Sequence, residues 1–285
     1  MTAIKHILLP FDFSAQSAQI VPYARALAGH VNARVTLLSV VPPAWELPPE
    51  GMKLAGDTPP QLAHSLQDRL DRILVDELAG VHVARITDAG DPAFRIAAFA
   101  DAHEVDLIMM PTHGLGLFRN LLIGSVTAKV LHDAKCPVWT AAHAETQRAR
   151  ALPRTVLCAV DGGSHTPALL KWAGEFCQSV GAQLTVLHVV GSVTDWPTLE
   201  RERRLQDQVR DAAHAKIGKI LQDSGVAAPL RIAVGEVVNT VTEDARQEAA
   251  DLVIVGRGSI PEPFGRLRTH AFGIVQRSPC PVLSV

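Results

Sequence analysis

A dominant charge is the first thing this chain lacks. Its 27 Lys and Arg nearly balance 29 Asp and Glu, for a formal net charge of −2 at pH 7. Without a broad basic field nothing would gather nucleic acid, and neither DNA nor RNA is expected as a partner. Long apolar runs are also missing. None approaches the roughly 18 residues that a membrane-spanning helix needs, so no membrane contact is expected. The opening stretch MTAIKHILLPFDFS has too short an apolar core for a secretory signal and lacks a small-residue cleavage site. The location expected from this is cytoplasmic. Cysteine is scarce, and Cys136, Cys158, Cys177 and Cys280 form no C-x-x-C pair and no zinc spacing. That removes the zinc-finger and disulfide-framework classes, and the four read as reduced, buried, small apolar side chains. Paired carboxylates and metal clusters at recognisable spacing are absent too, so no metal ligand and no catalytic residue is assigned.

What the chain does contain is a repeat. A length of 285 residues suits about two domains of roughly 150 residues each. Ile7-Leu8-Leu9-Pro10-Phe11-Asp12 matches Val156-Leu157-Cys158-Ala159-Val160-Asp161 at an offset of 149 (161 − 12), and the same offset carries residues 33–41 onto 182–190. Gly90 matches Gly235, and Asp106-Leu107-Ile108 matches Asp251-Leu252-Val253, at 145 (235 − 90). Cys136-Pro137-Val138 matches Cys280-Pro281-Val282 at 144 (280 − 136), so the second copy has small loop deletions. Two domains are expected at 1–143 and 153–285, joined by a linker where Gln147, Arg148 and Arg150 mark an exposed polar tract.

Within a copy the hydrophobic period alternates between strand and helix. In the first, strands are expected at 4–10, 34–41, 83–87, 106–110 and 138–142. Helices are expected at 14–30, 61–79, 92–103 and 125–132, with Asp12 or Ser14 as the first cap, Leu62, Leu66, Leu70, Ile73 and Leu74 lining the second helix, and Val126 and Val130 sharing a face of the fourth. Such alternation implies an α/β fold with a parallel sheet covered on both faces. A loop at 42–60, with Pro-Pro at three places, is long enough to cover a ligand or to be plain surface.

The most informative stretch is THGLGLFRNLLIGSV at 112–126, between the apolar strand at 106–110 and the following helix. Strand, glycine loop and helix N-terminus together gather unpartnered N–H groups and a partial positive charge, a ready site for phosphate. Gly114 and Gly124 are separated by the nine residues 115–123, and Ser125 follows. This resembles the G-x-x-G-x9-G-[ST] signature of the universal stress protein family. The resemblance implies two tandem, doubly wound, five-stranded parallel sheets of the adenine nucleotide α-hydrolase-like type, with strand order 3-2-1-4-5. It also implies a site for ATP, with or without Mg2+, at Pro10, Phe11, Asp12, Val40, Thr112, His113, Gly114, Gly124, Ser125 and Val126. Val40 would offer backbone groups to adenine. One position departs from the signature: Pro111 stands where its first glycine belongs. Loss of an N–H bonded to phosphate would cost about 1.5–3 kcal/mol. Alternatives stay open at single residues. The glycines can simply permit turns, Asp12 can be a helix cap alone, and His113 can be a solvated loop side chain.

In the second copy Val255-Gly256-Arg257 keeps the strand end and the missing glycine, yet counting back from Cys-Pro-Val puts Arg268-Thr269 at Gly124-Ser125. Pro261 and Pro263 remove two further donors, so this site is expected to be degenerate and Asp161 structural. The function implied is adenine nucleotide binding in the first domain, coupled to stress responses through an unidentified protein partner, without efficient catalysis. Alternatives are a nucleotide-independent scaffold and a slow ATPase or autophosphorylating protein. The last strands, around 138–140 and 282–284, would pair as an intrachain pseudo-dimer, and a homodimer through such edges is open.

Overall fold

Strand-like and helix-like periods are realised in alternation, twice. The computed structural model describes residues 4–43, 59–112, 123–141, 152–191, 199–257 and 269–285. The expected loop at 42–60 and the linker at 143–153 fall mostly outside the described residues. So do His113, Gly114, Arg268 and the stretch 259–267. The chain divides into two compact units, Ala3–His143 and Ala144–Val285.

The first unit runs β1 (His6–Pro10), α1 (Ala15–Gln19), α2 (Val21–Val31), β2 (Arg34–Val41), α3 (Pro59–Arg72), β3 (Val83–Ala89), α4 (Pro92–Ala102), β4 (Leu107–Pro111), α5 (Ser125–Asp133) and β5 (Val138–Ala141). Its strands lie in the order β3-β2-β1-β4-β5 and pair in parallel. The second runs β6 (Thr155–Val160), α6 (Thr166–Val180), β7 (Gln183–Val190), α7 (Leu199–Asp223), β8 (Leu230–Val234), α8 (Val237–Gln247), β9 (Leu252–Val255), α9 (Thr269–Arg277) and β10 (Val282–Ser284). Its order is β8-β7-β6-β9-β10, again parallel. Each is a doubly wound five-stranded α/β sheet of order 3-2-1-4-5, as the sequence pattern and the resemblance led one to expect. Right-handed crossovers put α1 to α3 on one face of the first sheet and α4 with α5 on the other.

The central strands are buried along their whole length, with Ile7, Leu8, Leu9, Leu107, Ile108 and Met109 fully enclosed. That is why they read as unbroken apolar runs rather than alternating ones. The repeated polar residues have repeated structural duties. Asp106 Oδ2 accepts from the N–H groups of Lys5 (2.7 Å) and His6 (2.9 Å). Asp251 Oδ2 accepts from Arg154 (2.8 Å) and Thr155 (3.1 Å). Gly90 and Gly235 sit at φ 134° and 154° and donate to Val41 O and Val190 O at 3.0 Å each, a conformation that an L side chain would strain.

Two expected helices differ. The one at 14–30 is interrupted at Ile20, because Pro22 in the first turn of α2 has no N–H to continue the ladder. The helix expected to reach 79 ends at Arg72, and residues 73–80 form turns around Leu74 at φ 56°. Leu70, Leu74 and Leu78 still reach the core, so packing of leucines sets that ending rather than a glycine stop. In α5 the buried residues are Thr127, Val130 and Leu131, while Val126 is only half-buried.

Candidate functional site

The order of the first sheet reverses between β1 and β4, and ligands of open α/β sheets bind beyond the carboxyl ends of the strands at such a point. β1 ends at Pro10, and the next residue, Phe11, donates its N–H to Leu38 O at 2.8 Å. Its ring is 3% exposed and packs edge-on against Phe13, with centroids 5.3 Å apart. Phe11 therefore supports the turn from below. Phe13 takes φ 61°, and the Arg69 guanidinium lies 4.4 Å from its ring centroid, within cation–π range.

Asp12 is not the helix cap. Ser14 is, its hydroxyl oxygen accepting from Ser17 N–H at 3.0 Å. Asp12 holds that cap in place, because its Oδ1 accepts from the Ser14 N–H (3.0 Å) and hydroxyl (2.5 Å). The carboxylate itself remains exposed at the mouth of the crevice.

Val40 gains its place from where pairing stops. β1–β2 pairing ends at Pro10↔Leu38. Leu38 O faces β1, since it accepts from Phe11, and alternation turns the N–H and C=O of Val40 the same way, past the end of β1.

Across the crevice, the chain leaves β4 at Thr112 and returns at Gly124. The two ends are tied: Gly124 N–H donates to Thr112 O at 2.8 Å, and Thr112 N–H donates to Ala141 O at 3.0 Å. Thr112 is 2% exposed, with its hydroxyl 3.4 Å from Ala141 O. Its backbone thus anchors the loop base and its side chain is turned into the sheet. Thr127 adds a bond from its hydroxyl to Pro111 O at 3.0 Å. Gly124 is the N-cap of α5 at φ −57°, and no side-chain bond caps that terminus among the described residues. Ser125 is exposed beside it. The first turn of α5 thus presents N–H groups and the positive end of its dipole at the crevice.

Asp12, Val40, Gly124 and Ser125 are brought to the same end of the first sheet, while Phe11 and Thr112 act as buried supports. The second unit keeps the frame with different furniture. Asp161 Oδ1 accepts from Gly163 N–H (2.8 Å) and the Thr166 hydroxyl (3.1 Å), and Gly162 repeats the left-handed turn at φ 70°. Helices α5 and α9 start 144 residues apart (269 − 125) and have equal length, which aligns Ser125 with Thr269. Arg257, at the place of Thr112, is buried and donates its N–H to Val285 O at 2.9 Å.

The sequence reading passed over one feature, the pairing between the crevice strands. β1–β4 pairing comprises Ile7↔Leu107 and Leu8↔Ile108 only, whereas β6–β9 continues through Cys158↔Ile254 and Ala159↔Val255. The signal was present in the repeat: Pro10 faces Ala159 in the alignment, and Pro111 faces Gly256.

Among the described residues no group of three or more His, Cys, Asp and Glu could hold a metal ion, and no helix is long and apolar enough to cross a membrane. Cys158, Cys177 and Cys280 are buried, but Cys136 is only half-buried, a correction to the sequence reading. Burial pushes the Cys177 thiol up to about 12 and the Cys158 thiol up as well, leaving both as inert apolar groups.

The sequence profile described as "Universal stress protein family" matches residues 3–141 and again 153–285. A universal stress protein of Mycolicibacterium smegmatis is 24% identical over 255 residues, spanning 88% of this chain and 86% of that one. One from Methanocaldococcus jannaschii is 33% identical over 138 residues, 47% of this chain and 79% of its own. Among solved structures, a universal stress protein from Archaeoglobus fulgidus matches with a TM-score of 0.70 at 22% identity, over 99% of this chain and 96% of its own. The profile matches the two copies that the sequence repeats and the structure folds alike, and the protein belongs to the universal stress protein family, with two domains of that family in tandem.

Proposed function

We propose that the first domain binds ATP or a related adenine nucleotide, and that binding is coupled to a stress response through protein contacts. The observation that carries this reading is the uncapped N-terminus of α5, set at the strand-order reversal opposite the exposed Asp12 carboxylate and the outward backbone of Val40. Phosphates would lie against the α5 terminus and the loop that begins with His113 and Gly114, and end beside Ser125 and Val126. The nucleoside would lie between Asp12, Pro10 and Val40. Mg2+ would arrive with the phosphates. Binding rather than turnover is favoured, because Asp12 and Thr112 are already engaged in holding the backbone.

In this reading the domains span 1–143 and 153–285, the second is a companion with a degenerate site, and the protein works in the cytoplasm. Pairing of last strands, within the chain or between two copies, belongs to the same proposal. Equilibrium dialysis of the purified full chain against labelled ATP with and without Mg2+ tests it, and saturable binding by wild type is the expected result. No binding up to millimolar nucleotide would leave the scaffold reading in its place. Multiple-turnover hydrolysis that disappears in His113→Ala would make the protein an enzyme instead.

A further inference from the structure

Helices α4 and α5 pack side by side in the first domain, and α8 and α9 repeat the arrangement in the second. The pairs are capped alike, with Asp91 accepting from the Phe94 N–H at 2.8 Å and Glu236 from the Asn239 N–H at 2.9 Å. Beside the cap they differ. A groove of about 560 Å³ runs between α4 and α5, lined by Asp91, Phe94, Ala128, Lys129, His132 and Asp133. Phe94 is 65% exposed there, large and apolar though it is. In the second domain Asn239 stands at the place of Phe94 and Arg277 at that of Asp133. The Arg277 guanidinium donates to Asn239 Oδ1 at 3.1 Å, from one helix to the other. The Glu236 carboxyl is held below its usual range by the N–H groups of Asn239 and Val238, and then by His270 and Arg277. Gly273, at the place of Lys129, lets Val238 close in, since Val238 Cγ2 lies 2.8 Å from where a Cβ would be. The second domain thus spans this place with its own guanidinium, and the first carries an acid at the same position.

The first groove offers an exposed ring and a carboxylate. Lys129 is already paired with Asp91 at 3.2 Å. Asp133 Oδ1 accepts from His132 Nδ1 at 2.5 Å, and its Oδ2 has no partner among the described residues. An anion would meet two carboxylates here, and an uncharged chain would leave Asp133 unanswered. A cation suits both the negative face of the ring and the free oxygen. Of the cationic side chains, arginine has a planar fork that stacks on a ring while bonding a carboxylate, whereas lysine offers a point charge. We infer that the α4–α5 groove of the first domain receives an arginine side chain of a protein partner, its guanidinium lying on the Phe94 ring and bonded to Asp133, where the second domain uses its own Arg277. No residue of this groove belongs to the crevice, so the inference does not require a bound nucleotide. That the arginine comes from a protein rests on the partner contact proposed above.

The test is alanine-methyl NMR of the full chain titrated with the peptide acetyl-Gly-Arg-Gly-amide, its citrulline counterpart serving as the uncharged isostere. The Ala128 methyl is expected to shift saturably, and the arginine peptide should bind about tenfold more tightly than the citrulline one, the scale of one cation–π contact with one exposed ion pair. Phe94→Asn/Asp133→Arg, which copies the second domain, should abolish the shift, and Phe94→Leu should remove most of the preference for arginine. No saturable shift at Ala128 overturns the inference. So does equal binding of the citrulline peptide, undiminished binding by the double variant, or a full arginine preference in Phe94→Leu. Self-association of the free chain that the double variant abolishes would give the groove to a second copy, and overturns it as well. Run with and without ATP, the titration separates the two readings. Peptide binding by a chain that binds no ATP removes the nucleotide and leaves the groove, and ATP binding with no peptide shift does the reverse.

Discussion

The two domains share one backbone plan and differ where a ligand would meet it. Away from the strand-order reversal they are matched: Asp106 and Asp251 each collect two N–H groups at the amino ends of the strands, and Gly90 and Gly235 make the same turn after β3 and β8. At the crevice they part. The first domain has an open ladder, a serine cap held by Asp12 and a glycine before α5. The second has a closed ladder, glycine after Asp161 and arginine before α9. The residues that hold the frame are thus matched between the domains, and those at the crevice are not.

The largest effect that would sharpen this contrast is expected from Gly124→Arg, which puts the second domain's residue at the first domain's helix cap. A side chain at the phosphate position should lower ATP affinity more than about 100-fold, over 2.7 kcal/mol, with the melting temperature unchanged. Titration calorimetry and thermal melting check the two halves of that statement, and undiminished affinity would remove the site from this place.

Next come the matched aspartates. Asp106→Ala and Asp251→Ala should each destabilise their own domain by about 2 kcal/mol, because each strips a charged acceptor from two backbone donors. Chemical denaturation should find similar costs, and a large inequality would break the symmetry of the frame.

Asp12→Asn should weaken ATP binding about tenfold, or about 1.4 kcal/mol, while Asp161→Asn leaves it unchanged. Equal effects from both would mean that the second crevice is in use.

The smallest effect concerns acid. His6 is buried, its Nε2 lies 2.8 Å from the Thr36 hydroxyl, and its Nδ1 lies 3.1 Å from both His103 O and the Arg34 guanidinium. Burial holds its pKa below the ordinary 6.5, helped by Arg34, while the His103 carbonyl and Asp106 pull the other way. The unfolded imidazole takes up a proton as pH falls past 6.5, and the folded one resists until a lower pH. Stability is therefore full above 6.5 and declines as pH falls toward the folded value. Thr155 occupies this position in the second domain. His6→Thr should flatten the acid side of the melting curve, which thermal scans across that range would detect.

Much of the plan was legible along the chain. Apolar runs such as Leu107-Ile108-Met109 announce strands enclosed on both faces, and the offset pairs announce the repeat. Gly124-Ser125 marked the start of α5 correctly. Less legible were the break at Ile20, the end of α3 at Arg72 and the burial of Thr112. The break has a local cause in Pro22, whereas the other two depend on neighbours distant in sequence. A leucine such as Leu74 accepts a left-handed turn when the core rewards its side chain, and nothing local announces that.

By itself, then, the sequence determined the periods of the elements, their doubling and the residues that punctuate them, since these follow from local sterics and the burial of alternating faces. Tertiary structure alone decided toward which neighbour each backbone donor turns. Pro10 and Pro111 are about a hundred residues apart and lack the same kind of group. Only the parallel register of β1 with β4 makes the two absences fall on consecutive rungs, because pairing is a property of strands brought side by side rather than of either strand.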